Sequence, residues 1–405
     1  MSLTALFFSR VFTTAIFMTY PACLPTLTGA WQMSATQAGL VQTGFSAGFA
    51  VSLLLTSWAS DRAGAKRMFV LFTWLAAGAA LVFAGFARSF ETGLVLATVV
   101  GAAQGGTYTP AIMLVSQELP PEKRGAGVGW MLAGMSAGYV LSIVLSTGLT
   151  SVHGYEAAFL VCAGGTLLGA IFGVAATRRV ANRIAVPTQK RQERYSLLRD
   201  RNSRLLTIGY MGHCWELFGA WAWVPAFLTL SLVDRPPFAG LALGGIGLGI
   251  AIALALHLSG FFASFLMGQA SDRLGRRVVL IYVAALGALC SFGFGWAGGL
   301  TPALLLIFAT FYGFAAIGDS AVLSTAMTET VPPDHLGRAL GIRSILGIGL
   351  GAVAPASFGA VLDIAPADQG WGWAFALLGL GGAVAAVCAA LLPAQKPGDL
   401  APARA

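Results

Sequence analysis

Charge is what this 405-residue chain has least of. Asp, Glu, Lys and Arg make up 10 % of it, against about 25 % in an ordinary soluble domain. So little charge cannot keep a chain of this size dissolved in water, which excludes both a soluble globular protein and a disordered one. Acidic residues are scarcer than basic ones, 16 against 24. The resulting excess of +8 is still not a nucleic-acid footprint, because the basic residues collect in alternate loops between apolar runs and not in one patch. There are five cysteines (Cys23, Cys162, Cys214, Cys290 and Cys388), all inside apolar runs and without paired spacing. They read as buried thiols, not a disulfide framework. No Asn-x-Ser/Thr glycosylation site occurs. The chain also lacks a nucleophile–base constellation, a glycine-rich phosphate loop and a metal-ligand motif. No enzyme activity, cofactor or metal is therefore expected.

What fills the chain is apolar sequence: 57 % hydrophobic residues, with a mean hydropathy of +0.78. At roughly 20 residues per membrane-spanning helix, the length admits about twelve spans joined by short turns. The 52 glycines would weaken helices in water, but in lipid small residues let helices approach closely. Gly101/Gly105 and Gly134/Gly138 have that spacing. The spans are placed near 4–27, 36–57, 68–87, 93–116, 125–150 and 156–177, then 204–231, 243–268, 278–297, 302–326, 338–362 and 371–393. The N-terminal run, with Arg10 inside it and no small-residue cleavage site, reads as an uncleaved first helix. Loops after even-numbered spans carry Arg62, Lys66, Arg67, Lys123, Arg124, Arg273, Arg276, Arg277 and Arg338; the opposite loops hold only Arg88 and Arg235. The N- and C-termini are therefore expected in the cytoplasm. The basic connector 178–203 reads as a solvated tether between two halves that touches anionic lipid.

One charged turn is written twice. Gly268-Gln-Ala-Ser-Asp272-Arg273-Leu-Gly275-Arg276-Arg277 lies between two long apolar runs, and Ser57-Trp-Ala-Ser-Asp61-Arg62-Ala-Gly64-Ala-Lys66-Arg67 lies half a chain earlier. Nothing so charged sits in hydrocarbon, so each must be a tight turn at a membrane surface. This turn resembles the signature of the major facilitator superfamily, Gly-x-x-x-Asp-Arg-x-Gly-Arg-Arg/Lys, found between the second and third helices and again between the eighth and ninth. The second copy matches fully. The first departs at Ser57 and Ala65, which weakens close helix approach there. A second repeat, Glu118-Leu-Pro-Pro121-Glu-Lys-Arg124-Gly125 and Glu329-Thr-Val-Pro-Pro333-Asp-His-Leu-Gly337-Arg338, precedes spans five and eleven.

The resemblance implies an all-α polytopic membrane protein of twelve transmembrane helices in two pseudo-symmetric six-helix halves. Residues 1–177 and 204–393 would form the halves, 178–203 the connector and 394–405 a cytoplasmic tail. It implies a secondary transporter working by alternating access in a bacterial inner membrane. The expected partners are a small polar or amphipathic organic solute, protons and anionic lipids of the cytoplasmic face; the expected state is a monomer. The paired turns (Asp61, Arg62, Gly64; Asp272, Arg273, Gly275, Arg276, Arg277) would form a cytoplasmic gate, with Asp61 facing the start of span eleven near Gly337 and Asp272 that of span five near Gly125. Alternatives are a drug/proton antiporter, a copper importer and a non-transporting receptor. Against the antiporter, Gly101 stands where many members have Arg before Gln104-Gly105, and Tyr139 follows Gly138 where drug exporters usually have Pro. Copper would need Met211, Cys214 and His213, or Met131 and Met135, as soft ligands; methionine at helical spacing also serves simply as packing.

Ionisable groups inside spans are costly, so each is a functional candidate. By position in the superfamily, spans 1, 4, 7, 10 and 2, 5, 8, 11 line a central cavity. Here these contain Arg10, Gln42, Gln104, Tyr108, Tyr139, His213, Trp215, Glu216, His257, Asp319 and Arg343, while the lipid-side spans carry no interior charge. His213 and Glu216, three apart, share a helix face, and Glu216 falls about 18 Å into its span, near the midplane. A midplane carboxylate near imidazoles suits reversible protonation; a structural Glu–His hydrogen bond is the alternative. Proton coupling is accordingly expected at Glu216, with His213, His257 and Asp319 assisting. Asp319 and Arg343 could form a buried ion pair, for gating or for mutual compensation. Arg10 could meet an anionic substrate or snorkel to the cytoplasm.

Overall fold

The computed structural model describes residues 1–184, 200–239 and 244–394. Most of the expected connector (185–199) and nearly all of the tail (395–405) lie outside the described residues. The rest is a bundle of helices, with no strand among the described residues. In chain order they are α1 (Leu3–Ala30), α2 (Ala35–Ala63), α3 (Ala65–Phe86), α4 (Phe90–Glu118), α5 (Pro121–His153) and α6 (Tyr155–Thr177). The second six are α7 (Arg201–Leu232), α8 (Gly245–Leu274), α9 (Arg276–Phe294), α10 (Pro302–Thr330), α11 (Pro333–Ile364) and α12 (Gly370–Ala390). Ten of these are long and apolar enough to cross a membrane by composition alone. The two that fall short, α4 and α7, are long enough but diluted by polar groups such as Gln104, Tyr108, His213 and Glu216.

Several helices run further than expected toward the charged turns. Residues there sit beyond the hydrocarbon, where a charged side chain does not stop a helix. α2 and α8 end only at Gly64 and Gly275, both at φ 90°, a region that glycine enters freely. At Gly64 a side chain would also collide with Asn182, which brackets the turn: its Nδ2 donates to the Ala63 carbonyl (2.8 Å) and its Oδ1 accepts from Arg67 N (3.1 Å). The Pro-Pro pairs of the second repeat follow the end of one helix and open the next. Pro120 and Pro332 are N-caps, and Pro121 and Pro333 open the next helices, where a missing N–H is harmless. α1 breaks through a 3-10 turn at Thr14–Ile16, just before Pro21, whose ring cannot donate to the turn below. α8 carries a π turn at Leu254–Leu258.

The expected close approaches are present. A side chain at Gly101 or Gly105 would strike the Phe45 or Phe49 carbonyl of α2, and one at Gly134 or Gly138 would strike α1. Gly268, the leading glycine of the complete signature, has open space beside it. The halves meet through α2 with α11, α5 with α8, and α1 with α7. These seams lie at one end of the bundle: Gly39 against Pro355, Gly359 against Ala35, Gly148 against Ile246 and Gly249 against Val144. Toward the charged turns Leu54, Leu55 and Trp58 of α2 and Phe261, Phe262 and Phe265 of α8 become exposed. The bundle is thus sealed at the end away from Asp61 and Asp272, and the halves part toward those residues. Leu71 (α3), Leu160 (α6), Leu289 (α9) and Val387 (α12) are exposed apolar residues, as a lipid-facing belt requires.

Candidate functional site

Where the two halves converge, aromatic rings form the roof of the cavity. Phe17 (α1) and Tyr139 (α5) come from the first half, Trp221 (α7) and His257 (α8) from the second. Ring centroids are 6.4 Å apart for Phe17–Trp221, 5.8 Å for Tyr139–Trp221 and 5.4 Å for Tyr139–His257. Such spacings are those of edge and tilted ring contacts. His257 sits in the π turn, a local widening often found at functional sites. It is 4 % exposed, and its Nε2 has no hydrogen-bond partner.

Below this roof stands Arg10. It does not snorkel: the side chain is 1 % exposed, and Nη1 donates to Thr107 Oγ1 at 2.7 Å. The short residues Gly134 and Thr107 leave room for it. Tyr108 and Tyr139 are the groups within its electrostatic reach, and no carboxylate pairs with it among the described residues. A buried guanidinium without a counter-ion is costly unless something else supplies the charge. Gln104, a cavity candidate, instead ties α4 to the break in α1 by donating to the Thr13 carbonyl (2.7 Å). Gln42 lies beside Tyr20, Phe45 and Val100 at a small void within the first half.

The second half arranges its polar residues differently from the expectation. Asp319 and Arg343 do not pair. Arg343 on α11 donates to the Leu323 carbonyl (3.1 Å) and to Ser324 Oγ (3.2 Å), and its guanidinium lies 4.2 Å above the Tyr210 ring. Asp319 turns instead to His213, whose Nδ1 lies 2.7 Å from Oδ1. The geometry is not that of a full hydrogen bond, and Oδ1 accepts from no other donor; the contact is an ion pair when His213 carries a proton. Nε2 of the same ring is 2.9 Å from Ser320 Oγ. The His213 and Tyr210 rings are 5.8 Å apart. Arg343, Tyr210, His213 and Asp319 therefore form one continuous row across α11, α7 and α10.

Glu216 points away from that row. Ser291 Oγ of α9 donates to Oε1 (2.6 Å) and lies 2.7 Å from Tyr312 OH of α10, so a Tyr–Ser–Glu chain is complete when Tyr312 donates to Ser291. Gly287 and Gly382 press against the carboxylate. Glu216 is thus enclosed within the second half, not lining the central cavity, and His213 bonds Asp319 and Ser320 instead of it. Trp215 also faces inward to its own half, donating from Nε1 to the Leu377 carbonyl of α12 (3.1 Å).

The paired turns stay within their own halves. Asp61 is exposed and Arg62 lies 3.8 Å over the Trp58 ring. Asp272 pairs with Arg276 four residues on, while Arg276 also clasps Glu329 at the end of α10 (2.9 Å). Arg277 donates to the Ala390 carbonyl (2.8 Å), and Arg273 is exposed. The side-chain surroundings of Gly125 and Gly337, the expected partners across the gate, lie outside the described residues. Met131 and Met135 are core residues, and Cys214 packs on Gly347 and Gly351. Sequence reasoning missed Tyr210, Ser291 and Tyr312. Tyr210 was legible as the residue three before His213 on one helix face; an apolar-span serine such as Ser291 carries no such signal.

Comparison with known proteins bears on this geometry. A family model described as Major Facilitator Superfamily matches residues 6–262 and 248–405. The chain is 26 % identical to a probable 4-methylmuconolactone transporter of Cupriavidus pinatubonensis, over 81 % of this chain and 78 % of that protein. It is 25 % identical to a cis,cis-muconate transport protein of Acinetobacter baylyi, over 81 % and 79 %. Among solved structures, that of the nucleoside transporter NupG is similar at a TM-score of 0.77 and 14 % identity, covering 96 % of this chain and 98 % of that one.

Proposed function

The chain belongs to the major facilitator superfamily, and from that premise we propose that it is a secondary active transporter of small organic carboxylates, driven by protons and working by alternating access. The family and the named relatives are transporters and not enzymes. Arg10 carries the reading: a buried cation in a spanning helix, beneath an aromatic roof, with no carboxylate among the described residues paired to it. A substrate carboxylate supplies the missing charge, and a flat unsaturated body suits the underside of the roof where Phe17, Tyr139 and Trp221 meet. Muconate and methylmuconolactone, named for the relatives, have that chemistry.

A bundle sealed at one end and parted at the other is one of the two states that alternating access needs. The loops rich in Lys and Arg support a cytoplasmic parted side, with the charged turns and both termini on the cytoplasmic face of a bacterial inner membrane. The His213–Asp319 pair is the proton site best placed to sense the substrate, because Tyr210 joins it to Arg343 at the cavity wall. Glu216, enclosed by Ser291, Gly287 and Gly382, is the less accessible carboxylate.

Proteoliposomes preloaded with cis,cis-muconate test the reading. Counterflow of labelled muconate, lost in Arg10→Gln and enhanced by an inward proton gradient, is the expected result. Failure of any of a panel of unsaturated and aromatic carboxylates to exchange would reject it.

A further inference from the structure

A second buried cation belongs to the other half. Arg343 is 5 % exposed, its Nε has no partner, and it too lacks a carboxylate among the described residues. The buried acids of its half are already engaged: Asp319 with His213, and Glu216 with Ser291. Arg10 is bracketed by Tyr108, Arg343 lies on Tyr210, and these two tyrosines are within electrostatic reach of one another across the gap. Two buried guanidinium groups, neither with a carboxylate among the described residues, therefore stand in opposite halves with a tyrosine beside each.

We propose that the transporter takes a ligand with two acidic groups, one held by Arg10 in the first half and the other by Arg343 in the second. The inference rests on the carboxylate reading above and narrows it to dianions on a short, flat frame. Each planar guanidinium can grip a carboxylate through two parallel N–H donors, which gives orientation as well as attraction. The tyrosine hydroxyls beside them add neutral donors without adding charge. A ligand with one acid group satisfies a single pole and leaves the other cation uncompensated. A ligand with two reaches both halves at once, so its binding favours their approach at the parted end. The same contact at Arg343 passes through Tyr210 to His213 and Asp319, which places the second acid group next to the proton site.

Binding of two probes of the same chain length to the purified full-length protein decides the matter: muconate, a diene with two carboxylates, and hexa-2,4-dienoate, the diene with one. Wild type should bind the dicarboxylate at least roughly tenfold more tightly, the size expected for one charge-assisted pair. Arg343→Gln should erase that preference by weakening muconate far more than hexa-2,4-dienoate, whereas Arg10→Gln should weaken both probes. Arg343→Lys, which keeps the charge and loses the fork, should retain part of the preference and guards against a folding defect in the glutamine variant. Equal affinities in wild type, or an equal loss of both probes in both Arg343 variants, would overturn the two-pole site and leave the carboxylate reading standing. If wild type binds neither probe, the two-pole site falls together with the muconate-like substrate class.

Discussion

Asp363, in the last turn of α11, caps the first turn of α2 across the seam between the halves. Its Oδ1 accepts from Ala35 N (2.8 Å), and its Oδ2 accepts from Thr36 N (2.8 Å) and Thr36 Oγ1 (2.6 Å). The first N–H groups of a helix have no partner of their own, and the helix dipole adds a positive end. A carboxylate from the opposite half satisfies both, so one residue latches the sealed end. Asp363→Asn keeps the shape but loses the charge. It should weaken the seal by about 1 kcal/mol. The check is labelling of a cysteine placed at Thr43, inside the α2–α11 seam, by a membrane-impermeant reagent from the outside. Labelling should rise several-fold in the asparagine background; an unaltered rate would show that packing alone holds this end.

The cytoplasmic gate should appear only in the opposite state. Asp61 and Asp272 remain in their own halves here. When the parted end closes, the positive starts of α11 and α5 become available to them. Asp61→Asn should then raise labelling of engineered cysteines from the cytoplasmic side. No change in labelling would count against a gating role for this aspartate.

Gly64 and Gly275 share φ 90°, and at Gly64 the Asn182 side chain also fills the space where a Cβ would go. A left-handed residue with a Cβ costs roughly 1–2 kcal/mol. Gly64→Ala should lose at least that much, visible as a lower melting temperature in detergent. Asn182→Ala should destabilise as well, because it removes two hydrogen bonds to the turn.

Coupling separates the two buried carboxylates of the second half. Asp319→Asn should abolish accumulation driven by a pH difference and spare substrate-for-substrate exchange, since exchange needs only one fixed protonation state. Glu216→Gln should keep driven accumulation while lowering thermal stability, because Ser291, which also holds Tyr312, loses its carboxyl acceptor. The reverse pattern in uptake assays would transfer the coupling role to Glu216.

Arg343 and Asp319 offer a further check. With no ion pair between them, Asp319→Asn combined with Arg343→Gln should not recover what either single change removes. Recovery in the double variant would mean that the pair forms in another state of the cycle.

The linear order of residues was enough to establish the membrane-spanning helical architecture. Hydrocarbon tolerates neither unpaired backbone groups nor free charge, so apolar runs must be helices and charged turns must lie at their ends. The glycine pairs of α4 and α5 likewise announced their close contacts, and the φ of Gly64 and Gly275 follows from a turn too tight for a Cβ. The polar residues worth naming inside the bundle were also legible, because each stands out against an apolar background. Their partners were not. Helical spacing puts His213 and Glu216 near one another on α7, but it does not say which of α9, α10 or α12 meets each side chain. That is decided by packing between segments distant in sequence: it turned His213 toward Asp319 and Glu216 toward Ser291, left Arg343 on Tyr210, and enclosed Arg10 beside Thr107 where a snorkelling path had seemed open. Only the tertiary structure could show two buried cations without acids among the described residues, because the absence of a partner is a property of the assembled neighbourhood.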